Sequence, residues 1–83
     1  SIEEARAYLK EPILGHRLIE CIKLVLASGK NAVEIFGELD NLKFRSSLTL
    51  FKKADDKELI FNQALMQLYS GSEDQLTLDF LER

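Results

Sequence analysis

The sequence predicts an all-α fold, a small orthogonal or irregular bundle of about five to six helices joined by short turns. Three observations carry that expectation. Apolar residues recur at helical spacing in run after run, and no run shows sustained strand alternation. Capping residues stand at the heads of those runs, in pairs three apart: Ser1 with Glu4, Asn31 with Glu34, Asp55 with Glu58. Pro12 and, apart from Gly15, the glycines fall at the boundaries between runs. A chain of 83 residues makes one domain, taken as residues 1–83, with a thin core and no internal staple.

In the first helix, Ser1 is the cap, Ile2, Ala5 and Leu9 form a narrow apolar stripe, and the helix stops before Pro12. Pro12 suits the first turn of a second helix, expected to run to about Ser28 with Gly29 as its stop. Its stripe of Leu14, Leu18, Ile19, Cys21, Ile22, Val25 and Leu26 reads as core. Gly15 falls inside that stripe, where glycine costs ~1 kcal/mol of helix propensity. Close approach of another backbone is the expected reason for it. Asn31 and Glu34 open a single turn that ends at Gly37 and is anchored by Ile35 and Phe36.

The segment that follows is read as the centre of the domain. Asp40 is the expected cap of a helix running from Asn41 to near Ala54. Phe44, Ser47, Leu48 and Phe51 share one side of it, and Leu42, Ser46, Thr49 and Leu50 lie towards another. A helix that is apolar on two sides is enclosed by neighbours. Asp55 with Glu58 should cap a helix over 56–70 closed by Gly71, so that Asp55→Ala would cost ~0.5–2 kcal/mol. That helix carries Ile60, Phe61, Ala64, Leu65, Leu68 and Tyr69 as its main stripe, leaving Leu59 and Met66 outside it. Ser72 or Asp74 caps a short final helix with Leu76, Phe80 and Leu81.

Composition narrows the function classes. The net charge of −3 is mild and the basic residues are scattered, which argues against a nucleic-acid surface. The longest apolar run, Leu24 to Ala27, is far too short to span a membrane. The single cysteine cannot form an internal disulfide and has no Cys or His partner at metal-ligand spacing. A reducing, cytoplasmic setting follows as the simplest reading.

Two signatures resemble a known family. Glu4-Ala5, Tyr8-Leu9 and Pro12-Ile13-Leu14-Gly15-His16-Arg17-Leu18 with Glu20-Cys21 are similar to the first. Ile35-Phe36-Gly37, Asp40, Leu42, Lys43 and the run from Arg45 to Phe51 are similar to the second. Phe61, Leu65, Tyr69, Gly71, Asp74 and Thr77-Leu78 match its closing helices. The family is the uncharacterised, mainly bacterial domain-of-unknown-function family 1810, whose members are sometimes labelled calpastatin. The resemblance implies an all-α fold and no established activity, cofactor or substrate. Family members usually carry a further N-terminal part rich in tryptophan and phenylalanine. This chain has no tryptophan and resembles the C-terminal part of the family's domain, or a shortened relative. Leu39, Asn41 and Leu48 stand where the family commonly has proline, a second aspartate and methionine, and losing the second acid weakens any site that needs a carboxylate pair.

Three groups of residues could carry chemistry, each with a bland counterpart. Asp40, Lys43, Arg45, Ser46, Ser47 and Thr49 could line a cleft for a phosphate or carboxylate near a helix N-terminus. The structural alternative is that Asp40 caps, the serines let helices approach, and Arg45 pairs with an acidic neighbour. His16 and Glu20 have the i, i+4 spacing of a general-base pair or of two metal ligands. With one histidine and no third ligand in view, an exposed polar face is the preferred reading. Cys21, inside an apolar stripe, reads as a small buried hydrophobe. No metal or cofactor is expected. The preferred function is a non-catalytic helical interaction or scaffold module; the alternative is a small-molecule or phosphate-ligand domain or enzyme using the segment from Asp40 to Ser47. Leu24, Leu59 and Met66 lie off the main stripes of their helices, so a homodimer or the family's N-terminal segment is expected to cover Leu59 and Met66.

Overall fold

Five helices follow one another: α1 (Ile2–Lys10), α2 (Pro12–Ala27), α3 (Ala32–Ala54), α4 (Ile60–Tyr69) and α5 (Gln75–Leu81). The structure is a computed structural model that describes residues 1–82; Arg83, the last residue of the expected domain, lies outside the described residues. α3 is the hub. It packs against α1, α4 and α5, while α2 closes the other side against α1 and α4. The core lies where α2, α3 and α4 converge, on Ile22, Leu48, Ile60, Phe61, Ala64 and Leu65. Phe51 stacks on Phe61 with ring centroids 5.6 Å apart and also meets Tyr8 at 5.7 Å, which ties α1 into the same core. No described helix is long and apolar enough to cross a membrane.

The helix starts follow local chemistry, with two corrections. Asn31 and Glu34 form a full capping box: the Asn31 carboxamide accepts from the Glu34 N–H at 2.8 Å, and the Glu34 carboxylate accepts from the Asn31 N–H at 3.3 Å. Gly37 then breaks the helix at φ +82° and ψ 171°, a backbone state that only glycine adopts without strain. The helix resumes immediately, so Asp40 lies within its first turn and does not cap it. Its carboxylate instead sits 3.8 Å from Lys43 on the exposed face. Asp55 is corrected as well. It is the residue that ends α3, its N–H bonded to the Phe51 carbonyl, and α4 begins only at Ile60. Its carboxylate accepts from the Lys57 N–H in an exposed turn, while Glu58, two residues before Ile60, accepts from the Ile60 N–H at 3.4 Å.

These two sites should therefore respond differently. Asn31→Ala is expected to cost ~0.5–2 kcal/mol, since it opens a complete box at the head of the hub helix. Asp55→Ala is expected to cost less than about 0.5 kcal/mol, as exposed turn positions do. Urea denaturation of both variants beside the parent tests the order; an Asp55→Ala midpoint as low as that of Asn31→Ala would overturn it.

The far ends of α2 and α3 are closed from a distance. The Arg6 guanidinium donates to the Ala54 carbonyl at 3.0 Å, and the Gln67 carboxamide to the Leu26 carbonyl at 3.0 Å. Each satisfies a terminal carbonyl that has no intrahelical partner. On α2 the stripe is narrower than its periodicity implies. Gly15, Ile22 and Val25 are buried, Leu18, Ile19 and Leu26 pack on the core's edge, but Leu14 is 40 % exposed and Cys21 is exposed too. Leu14 and Cys21 are seven residues apart on one flank, beyond the strip that α1 and α4 cover. Cys21 is thus a surface thiol and not the buried hydrophobe that its neighbours in sequence suggest.

Candidate functional site

The polar strip of α3 faces the segment between α4 and α5. Arg45 reaches across to it: its Nε donates to the Ser72 carbonyl at 2.9 Å, and Nη2 to the Ser72 hydroxyl and to the Glu73 carbonyl at 3.3 Å. Its guanidinium carbon also stands 5.6 Å from the centre of the Tyr69 ring. One turn on, the Thr49 hydroxyl donates to the Arg45 carbonyl and accepts from the Asp74 N–H, both at 2.9 Å. Lys52 Nζ lies 2.7 Å from the Glu73 carboxylate, with Lys53 at 3.9 Å. The Ser46 and Thr77 hydroxyls share a hydrogen bond of 2.6 Å. Asp74, the cap of α5, takes the Thr77 N–H at 2.9 Å and the Thr77 hydroxyl at 2.7 Å. The arrangement is a clasp. A loop too short to carry its own core is held to α3 by hydrogen bonds that satisfy its backbone.

The expected set of ligand residues is therefore divided. Arg45, Ser46 and Thr49 come together, engaged in the clasp, and Arg45 binds carbonyls where a carboxylate partner was expected. Asp40 and Lys43 pair with each other on the outside. Lys43, Ser46 and Ser47 line an open groove of about 770 Å³ between α3 and α5, whose other walls include Leu42, Leu50, Leu76 and Phe80. His16 and Glu20 are exposed on α2, whose main partners are α1 and α4. Glu20 is turned to Lys23 at 3.4 Å. Among the described residues, no group of three or more His, Cys, Asp or Glu side chains gathers as a metal site. Sequence reasoning missed Tyr69, Ser72 and Glu73 as partners of α3. The one local signal was Asp74 three residues before Thr77, the spacing of a helix cap.

Tyr69 gives the clasp a pH dependence. Its hydroxyl lies 2.7 Å from the Asn41 carboxamide oxygen and 3.1 Å from the Asn41 carbonyl, both acceptors. Burial raises the phenol above its ordinary value of 10.0, opposed in part by the neighbouring Arg45 charge. A phenolate would have no proton to donate to either acceptor and would set a negative charge against both oxygens. The folded state therefore holds this proton more tightly than the unfolded chain. Stability from this group is complete below pH 10 and falls as pH rises from there through the folded value. Absorbance titration of the phenols is expected to show a phase above the ordinary value of 10.0 that is absent in Tyr69→Phe. A late phase that survives in Tyr69→Phe would contradict this.

The fold and the clasp define a class: a small all-α domain whose last helix is held to a hub helix by polar contacts. The chain belongs to the family described as "Protein of unknown function (DUF1810)", whose model matches residues 1–81. It is similar to the crystal structure of the conserved hypothetical protein Rv1873 from Mycobacterium tuberculosis, with 45% identity and a TM-score of 0.94. That match covers 100% of this chain and 60% of the mycobacterial one, so the chain spans about three fifths of that relative's length. No curated protein matches it.

Proposed function

We propose that the chain is a non-catalytic helical interaction or scaffold module, a single helical domain of the cytoplasm whose partner is a polypeptide and not a nucleic acid. One observation carries this reading. The polar groups of α3 best suited to hold a ligand, Arg45 and Thr49 above all, are engaged within the chain, while large apolar side chains remain outside. Leu59 and Met66 are 66% and 58% exposed and lie two turns apart on one line. Scattered exposed leucines are ordinary, but aligned ones on a small domain suit a partner. A second copy of the chain packed over that line is the expected assembly. Sedimentation over a wide concentration range tests it, with Leu59→Glu expected to weaken association more than folding. A well-folded monomer at every concentration, unaffected by the substitution, would sink the idea.

A ligand-binding or enzymatic reading draws on the groove, because Lys43, Ser46 and Ser47 do line one surface. A thermal-shift screen of nucleotides, sugar phosphates and metals separates the two. For the interaction module, Arg45→Lys lowers the melting temperature, because lysine cannot reproduce the planar fork that binds Ser72 and Glu73, and no compound shifts it. For a ligand site in the groove, a compound raises the melting temperature and Lys43→Ala abolishes that rise.

A further inference from the structure

Apolar side chains also line the groove between α3 and α5, apart from Leu59 and Met66. α5 has no buried residue, and its Leu76 and Phe80, one turn apart, are 80% and 60% exposed. Leu42 and Leu50 supply the facing wall from α3. A seven-residue helix with two large apolar side chains in water has no packing reason to form alone; the clasp holds it in place with its apolar side open. Such a trough between two helices has the shape that accepts the apolar stripe of a third.

Two observations say what fits it. Ser1, the cap of α1, and Leu81, the last residue of α5, both line this groove, so a segment tethered beside either would start from its rim. The mycobacterial relative, whose fold superposes on the whole of this chain, has a further 40% of its length outside the match (100% less the 60% covered). We propose that the α3–α5 groove is the seat of one segment from that additional length, held there as an amphipathic helix by apolar side chains placed between Leu42 and Phe80. Tethering to a rim residue would keep such a segment at high local concentration, so that modest contacts suffice. The inference rests on the interaction-module reading and adds to it a surface distinct from Leu59 and Met66.

The test uses this chain with overlapping synthetic peptides that span the relative's unmatched length, titrated by calorimetry and by amide exchange at α5. One peptide or a contiguous pair is expected to bind at one per chain and to slow exchange in α5. Leu76→Asp and Phe80→Asp should each weaken it by about tenfold or more, as loss of a central apolar anchor does. Both positions are exposed, so these changes should leave the fold intact. Leu59→Glu should leave peptide binding unchanged, which separates this groove from the assembly surface. A second readout lies in the relative's crystal structure: side chains of its unmatched segment should stand within contact distance of the residues aligned with Leu42, Leu76 and Phe80. Binding that survives both aspartate substitutions, self-association through the groove, or solvent at those aligned residues would each overturn the proposal.

Discussion

Gly15→Ala is expected to destabilise the domain, although alanine is the better helix former. In an open helix the change would add stability of ~1 kcal/mol through propensity alone. Here a Cβ on residue 15 would come 2.4 Å from the Leu9 carbonyl oxygen and 3.1 Å from its carbon. Those are backbone atoms of α1, so no side chain can swing aside; the whole helix must move. Forced insertion of one carbon into packed structure costs ~1–3 kcal/mol, sometimes more, and a rigid neighbour puts the site at the upper end. The net expectation is a loss of ~2 kcal/mol, or a melting temperature lower by about 10 °C for a domain of this size. Urea and thermal denaturation measure it directly. A variant more stable than the parent would mean that α1 and α2 do not meet at Gly15.

Thr49→Val is expected to cost more than Thr49→Ser, the reverse of what apolar burial alone would give. Thr49 is fully buried, and valine has nearly its shape. The hydroxyl, however, is the acceptor for the Asp74 N–H, just where the loop enters α5. Valine leaves that donor without a partner, a penalty of ~1–3 kcal/mol for a buried group. Serine keeps the hydroxyl and loses one methyl, worth ~1 kcal/mol. The valine variant should also free α5 from the hub, raising amide exchange in residues 75–81 well before global unfolding. Calorimetry with site-resolved exchange would show both. If the valine variant proved as stable as the serine variant, the clasp would be no more than surface decoration.

The two substitutions probe opposite kinds of information. The need for a small residue at position 15 is visible in sequence, because glycine inside an apolar helical stripe is otherwise unfavourable. The helix count and the Pro12 boundary follow from nearest-neighbour chemistry, as do the Asn31–Glu34 box and the central place of the segment around Leu48. Each depends on residues within four positions of one another. The family relationship was legible on the same grounds, from runs such as Arg45 to Phe51.

What the tertiary structure decided is whatever depends on a residue far away in the chain. Asp40 and Asp55 both head plausible capping sequences. Gly37 restarts α3 ahead of the first, and the turn after Ala54 delays α4 beyond the second. Cys21 belongs to an apolar stripe by periodicity, yet lies on a flank that no neighbouring helix covers. Arg45 shows the limit most plainly. Its partners are 27 and 28 residues on, and two of the three are backbone carbonyls, which every residue carries and no sequence pattern marks. Sequence alone determines which faces of these helices are apolar and, at Pro12 and the Asn31–Glu34 box, where they start. Only the packed chain determines which apolar faces find cover, and which polar side chains are drawn inward to close a loop, because both depend on which surfaces meet.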